Sequence, residues 1–213
     1  MKTVKLLSVI MLALSFGAFA KNDYQSAMSN AIEKMAEARD VISLVESANQ
    51  FEMISKVETK EWLPLYYHAL SYVRISFMSK ESADARDAYL DKAQGSIDKM
   101  LEINDKESEI FALQSMLHTA RLVIDPMNRG QSMMVKSGVA ISKALELDPN
   151  NPRASYLLLS NEVGQAQFFG KDIAEYCYRI NHLNNNWEEL EEGKEFYPTW
   201  GKGQTQELAN QCK

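Results

Sequence analysis

The sequence predicts an all-α protein in which antiparallel helical hairpins stack side by side and an aromatic segment caps the C-terminal end. Three observations carry this prediction. Glycine and proline are few, with 9 and 5 residues among 213, and such a composition favours helices. Apolar residues recur with a helical period in successive segments. Two of these segments also repeat each other 44 residues apart.

Residues 1–20 have the pattern of a secretory signal peptide. Lys2 and Lys5 flank the start of an apolar stretch, and Ala18–Ala20 has the small residues that signal peptidases accept, so cleavage is predicted before Lys21. The stretch is shorter than the ~20 apolar residues that a membrane-spanning helix needs, which disfavours an anchor. The sequence therefore predicts a periplasmic or secreted protein without a transmembrane anchor.

The charge balance restricts the class of partner. The chain has 23 basic and 29 acidic residues and a net charge of −6, and loss of the two lysines of the signal changes this charge to −8. Such a balance repels the phosphate backbone, and no basic stripe interrupts it, so nucleic acid is excluded as an expected partner. Anionic membrane surfaces are disfavoured for the same reason.

The remainder of the chain divides into helical segments separated by short polar or proline-containing links. The fifth segment illustrates the pattern, because Ile110, Leu113 and Leu117 fall on one face and polar residues on the other. A single short amphipathic helix is marginal in water and must pack on neighbours. The predicted helices span residues 23–38, 41–57, 61–78, 83–103, 107–124, 129–147, 152–166 and 171–183.

The internal repeat indicates that the helices work in pairs. The segment Ile97–Asn104 is similar to Ile141–Asp148, and each is followed by a polar turn and a new helix. A unit of this size is one helical hairpin that cannot bury its own apolar face, so that neighbouring hairpins must cover it.

The segment Lys143–Pro152 resembles the end of the second helix of a tetratricopeptide repeat. Ala144 stands at the small position of that family and Pro149 at the position that ends the helix, while Trp62 stands at the large aromatic position of a first helix. The family's small glycine is replaced by Tyr66, and the period of 44 exceeds the usual ~34 residues. The resemblance implies a right-handed α-solenoid over residues 21–183 that binds proteins or peptides.

The C-terminal residues 184–213 are expected to form a capping tail. The run Asn184–Asn186 is predicted to end the last helix. Four aromatic residues follow that are too apolar to remain in water, and they are predicted to pack against the last hairpin. The alternative is that some of these rings form a stacking platform for a sugar or a peptide. The four residues are Trp187, Phe196, Tyr197 and Trp200.

Two cysteines, Cys177 and Cys212, are predicted to form a disulfide that fixes this tail. Export makes such a bond chemically permissible, and it would stabilise the protein by roughly 3–4 kcal/mol in the chain-entropy model. The alternative is a small buried Cys177 and a free terminal thiol. Neither cysteine has the CxxC spacing of redox or zinc sites.

The sequence contains no motif of catalysis or of phosphate binding, and its three histidines are scattered. We therefore expect neither an enzyme nor a bound cofactor or metal. The first helices of the hairpins are predicted to line a ligand groove in which Arg74 and Arg121 pair with a carboxylate of the ligand. The alternative is that these positions are ordinary solvent-facing ones. The predicted groove residues are Tyr67, Ser71, Arg74, Gln114, His118, Arg121, Asn161 and Gln165.

The function predicted from these features is a non-enzymatic module that binds or scaffolds a protein or peptide partner outside the cytoplasm. One alternative is a structural envelope protein that self-associates through residues 23–57. A less favoured alternative is a helical enzyme or binding protein that acts on glycans. The oligomeric state stays open at this level.

Overall fold

The computed structural model describes residues 23–191 and 193–212, and within these ranges all regular structure is helical. The predicted signal peptide therefore lies outside the described residues. None of the described helices is long and apolar enough to cross a bilayer. The helices are α1 (23–37), α2 (Val41–Val57), α3 (Leu63–Met78), α4 (Ala83–Ile103), α5 (Ser108–Ile124), α6 (Pro126–Leu147), α7 (Pro152–Phe168), α8 (Ala174–Leu190) and α9 (Lys202–Asn210).

The prediction that Asn184–Asn186 ends the last helix of the hairpins is wrong. Helix α8 continues through the three asparagines to Leu190. Ile180, Leu183 and Trp187 lie three and four residues apart on one face, and all three are buried. Packing of this face outweighs the modest helix propensity of asparagine, which is only a few tenths of a kcal/mol per residue.

Successive helices are antiparallel neighbours, so their turns gather at two opposite ends of the molecule. We name these ends A and B. End A contains the turns that follow α1, α3, α5 and α7, with windows 36–43, 77–84, 122–129 and 167–174. End B contains the turns that follow α2, α4 and α6 and the segment that follows α8, with windows 57–63, 103–109, 147–153 and 190–201.

The largest buried cluster is formed by helices α1 to α5, and smaller clusters join α5 to α7 and α7 to α9. Aromatic rings fill much of the first cluster. Phe51 stacks on Tyr67 with ring centroids 5.1 Å apart, and Trp62 meets the edge of Tyr66. Contacts also join α3 to α5 and α5 to α7, so that the hairpins cover one another's apolar faces.

Residues 191 and 193–201, which we call the return segment, cross end B and reach the first helices. The ring of Phe196 contacts Tyr24 on α1, and the indole Nε1 of Trp200 donates a hydrogen bond of 2.9 Å to the hydroxyl of Tyr66 on α3. The hydroxyl of Tyr67 donates to the carbonyl oxygen of Phe196. The prediction that the aromatic rings pack against the last hairpin holds for Trp187, which is buried between α7, α8 and α9. It is wrong for Phe196, Tyr197 and Trp200, which are partly buried against the first helices.

The predicted disulfide between Cys177 and Cys212 is confirmed. It joins α8 to the residues that follow α9 at end A, with a Cα–Cα distance of 5.5 Å. Gln167 donates a hydrogen bond to Gln211 beside it. The C-terminus is therefore fixed covalently to the last hairpin, which fits an oxidising compartment.

A buried guanidinium, that of Arg153 at the start of α7, connects three parts of end B. Its Nε lies 2.8 Å from each carboxylate oxygen of Glu109 on α5, and its Nη1 lies 2.9 Å from Glu191 of the return segment. Asn151 donates to Glu109 and to Ser108. Burial by itself lowers the pKa of Arg153, but Glu109 and the other neighbours outweigh it and leave that pKa above its usual value.

We expect Arg153→Ala to lower the free energy of unfolding by about 3–5 kcal/mol, because Glu109 would be left buried without its counterion. Urea denaturation measures this loss. Arg179→Ala is the matched control, since Arg179 forms a more exposed ion pair with Glu162 and its removal should cost less than about 1 kcal/mol. Equal losses in the two variants would contradict the buried pairing.

We also expect Gly201→Ala to lower the free energy of unfolding by about 2 kcal/mol or more. Gly201 has a φ of 111°, and a Cβ atom there would lie 2.5 Å from the ring of the buried Trp187. Thermal denaturation of the variant tests this. The control is Gly203→Ala in α9, which meets no atom within 4 Å and should leave the stability unchanged or slightly raised. A Gly201→Ala variant with unchanged stability would contradict the close approach of Gly201 to the ring of Trp187.

Candidate functional site

The predicted ligand groove is not an open surface at the first of its helices. Tyr67 and Ser71 are buried in the core, where the hydroxyl of Ser71 donates to the carbonyl oxygen of Tyr67. The guanidinium of Arg74 donates to the carbonyl oxygen of Met35 on α1. Tyr67 and Arg74 therefore hold α1, α3 and the return segment together, and the buried Tyr67 and Ser71 do not face an open groove.

On α5 two of the predicted residues, Gln114 and Arg121, are bound to α4, and His118 contacts Gln114 on the same helix. Arg121 is paired with Asp87 at 3.0 Å and with Asp91 at 2.6 Å, both on α4. The side chain of Gln114 exchanges hydrogen bonds with Gln94 and contacts the Nε2 of His118. Arg121 is thus already paired within the protein, which removes the basis for its predicted pairing with a ligand.

The two predicted residues on α7 differ in exposure. Asn161 donates a hydrogen bond of 2.9 Å to the hydroxyl of Ser137 on α6, so it joins the two helices. Gln165 is exposed. The eight predicted residues therefore do not come together as one groove, and their role in ligand binding stays a prediction.

An open groove does lie between α7 and α8, and we call it the α7–α8 groove. Its cavity of about 360 Å³ is at the lower end of the range typical of small-molecule sites. Leucine side chains from both helices provide apolar surface, and a polar rim surrounds them. The groove is lined by Pro149, Asn150, Ser155, Leu158, Leu159, Tyr178, Arg179, His182, Leu183 and Leu190.

Three polar side chains of α8, those of Tyr178, Arg179 and His182, line the groove beside this apolar surface. Tyr178 and His182 are four residues apart, so they project from the same face of the helix, and their ring centroids are 6.4 Å apart with the planes tilted by 37°. Tyr178 is 79% exposed although its ring is largely apolar. Arg179 lies beside them, with Nη1 at 2.7 Å from Glu162. The groove thus offers an aromatic phenol, an imidazole and a cation above a leucine floor.

The sequence alone does not reveal this groove. The spacing Tyr178-x-x-x-His182 was visible, but its significance depends on the leucines that α7 brings to the same place. Within the described residues, no cluster of three or more histidine, cysteine, aspartate or glutamate side chains could hold a metal ion. The apolar surface and polar rim of the groove suit an organic ligand with a large apolar part.

A second cavity, of about 280 Å³, lies at end B beside Arg153, Glu109 and Lys106. Its walls are mostly polar, and the charge of Arg153 is balanced within the protein by Glu109 and Glu191. An additional ionic ligand would have to displace these pairs. We therefore take the α7–α8 groove as the candidate site.

Comparison with known proteins identifies a structure with a similar fold. No protein-family model matches the sequence, and no curated protein matches it. A solved structure, the HusA haemophore from Porphyromonas gingivalis, is similar over 89% of this chain and 92% of its own, with a TM-score of 0.78 and 24% sequence identity. At this level of identity, the likeness shows that the two chains share an all-helical fold.

Acid should destabilise the protein through His68 and His118, because burial lowers the pKa of each to about 4. Between about pH 6.5 and 4, the unfolded chain binds protons at these positions and the folded chain does not, so stability falls as the pH falls. We expect the double variant His68→Gln/His118→Gln to lose less stability than the unmodified protein between pH 7 and pH 4.5 in urea denaturation.

The control is Gln114→Asn, which disturbs the contact of Gln114 with His118 but removes no titratable group. Its stability should differ from that of the unmodified protein by the same amount at both pH values. If the double histidine variant had the pH dependence of the unmodified protein, the two partly buried histidines would not be the cause of the loss of stability in acid.

Proposed function

We propose that this chain is a non-enzymatic binding protein that acts outside the cytoplasm and carries a haem-type porphyrin in the α7–α8 groove. The observation that carries the proposal is the presence of Tyr178 and His182 on one face of α8 beside a leucine floor. The phenol oxygen of tyrosine and the imidazole nitrogen of histidine are both known ligands of haem iron. The fold shared with a protein named a haemophore supports the same choice of ligand.

The groove suits the separate chemical parts of a porphyrin. Leu158 and Leu190 are partly exposed and offer apolar contact to the macrocycle, and burial of apolar surface is worth about 25 cal/mol per Å². The ring of Tyr178 can stack on a flat aromatic molecule. Arg179 can pair with a carboxylate, the group found on the propionates of haem, if it exchanges its contact with Glu162. Because the groove is open, part of the macrocycle would stay in contact with solvent.

The location outside the cytoplasm is part of this proposal. Its support is the disulfide Cys177–Cys212, since such bonds persist mainly in oxidising compartments, together with the signal-like sequence of residues 1–20. The absence of enzymatic activity is also proposed, on the basis of the fold shared with a protein named a haemophore and of a sequence without a known catalytic motif.

We further propose that the hairpins form the tetratricopeptide-like right-handed stack that the sequence suggests. Ala144, at the small position of the repeat, is fully buried where α6 approaches α5, and its carbonyl oxygen accepts a hydrogen bond from Ser108. Pro149 lies in the short turn between α6 and α7. A protein or peptide partner, predicted from the same resemblance, is the alternative ligand class.

Titration of the protein with haemin, followed by the Soret absorbance, tests the proposed ligand. We expect saturable binding, and we expect Tyr178→Phe/His182→Gln to weaken it by at least about tenfold because both candidate iron ligands are removed. Metal-free protoporphyrin should bind both proteins with similar, lower affinity, since it depends on the apolar surface alone. Tyr89→Phe on α4 is the matched control and should bind haemin as the unmodified protein does.

Two results would contradict the proposal in different ways. If the unmodified protein did not bind haemin, the proposed ligand would be wrong. If haemin bound but the double variant bound it equally well, haem would remain the ligand and the α7–α8 groove would be the wrong site.

A further inference from the structure

End A exposes a row of large apolar side chains. They come from all four windows of end A, and the most exposed is Met127, with 91% of its surface accessible. Phe168 and Phe169 are 80% and 63% exposed, and their rings meet edge to face at 5.2 Å. Single exposed apolar residues are normal, whereas a concentration at one place marks a binding surface. The residues of this row are Ile42, Phe77, Met78, Val123, Met127, Phe168 and Phe169.

The charge of end A also differs from that of end B. The four windows of end A contain four basic and six acidic residues, whereas the windows of end B contain four basic and nine acidic ones. In a chain with an overall net charge of −6, end A is therefore the less acidic end. An anionic or zwitterionic surface would be repelled less by end A than by end B, so the molecule has a preferred orientation toward such a surface.

The shape of end A indicates which class of partner, a small molecule or an extended surface, it can bind. None of the seven residues lines the cavities described above or the other cavities found between the helices. Six of them lie in the first or last turn of a helix and Phe169 directly follows α7. Because packed helices lie about 8–10 Å apart, the four windows of end A together extend well beyond one small molecule. Projecting apolar side chains suit the acyl region of a bilayer, which accepts them without a matching shape.

We propose that end A docks on a lipid bilayer of low net charge. Met127, Phe168 and Phe169 enter the interface between headgroups and acyl chains, and the acidic end B faces the water. Lys171, which follows Phe169 after Gly170, is placed to meet lipid phosphates at the headgroup level. The docking does not depend on the nature of the ligand in the α7–α8 groove.

Co-sedimentation of the full chain with phosphatidylcholine vesicles tests the proposal. We expect the unmodified protein to bind, and Phe168→Ser/Phe169→Ser to bind at least about tenfold more weakly, because each phenyl ring has roughly 150–250 Å² of surface to bury. The control is Val57→Ser, which removes a side chain that is 77% exposed but lies at end B, and it should bind as the unmodified protein does. All three proteins should keep the same thermal midpoint.

A second series of vesicles contains phosphatidylglycerol as an anionic lipid. Binding should weaken as the anionic fraction rises, because the chain is acidic overall, and a strong increase would overturn the proposal in favour of electrostatic attraction. Failure of the unmodified protein to bind phosphatidylcholine vesicles would also overturn it. A concentration-dependent dimer that is lost in the phenylalanine variant, without any vesicle binding, would assign end A to a second copy of the chain instead.

Discussion

The contacts of Arg153 are the constraint on which the arrangement of end B depends. A guanidinium removed from water is costly unless its charge and its donors are matched, so the surroundings of Arg153 must be complete before this part of the protein is stable. Glu109 brings α5 to the start of α7, and Glu191 brings the beginning of the return segment. Asn151 and Ser108 extend the same network to α6. One buried cation thereby fixes three helices and the segment that follows α8.

The return segment makes the molecule differ from an open array of hairpins. From its attachment at Arg153 it runs along end B to Tyr66 and Tyr67 on α3 and to Tyr24 on α1. It therefore covers apolar surface of the first helices rather than of the last, and the chain closes on itself across one end. Since end B carries these polar and aromatic contacts, the exposed apolar side chains are concentrated at end A.

The candidate site illustrates why a shared fold and a shared function are separate questions. The likeness of fold extends over most of both chains, but the groove is defined by a few side chains on α7 and α8. Tyr178 and His182 are exposed and make little contribution to the core, so the fold does not require either of them. Their position beside buried leucines is what gives the proposed haem site its chemical basis. The disulfide at Cys177 fixes the same helix at the residue directly before Tyr178 and so limits its movement.

The sequence by itself determined the helical class, most helix boundaries to within a few residues and the pairing of Cys177 with Cys212. These features depend on local periodicity, on proline and capping residues, and on the number of cysteines available. It could not determine that Asn184–Asn186 stays helical, because burial of Trp187 decides this. Nor could it distinguish a polar residue that faces a ligand from one that joins two helices, as Arg121 does. Only the tertiary structure supplies the partner side chains, and these partners decide whether a polar group is available.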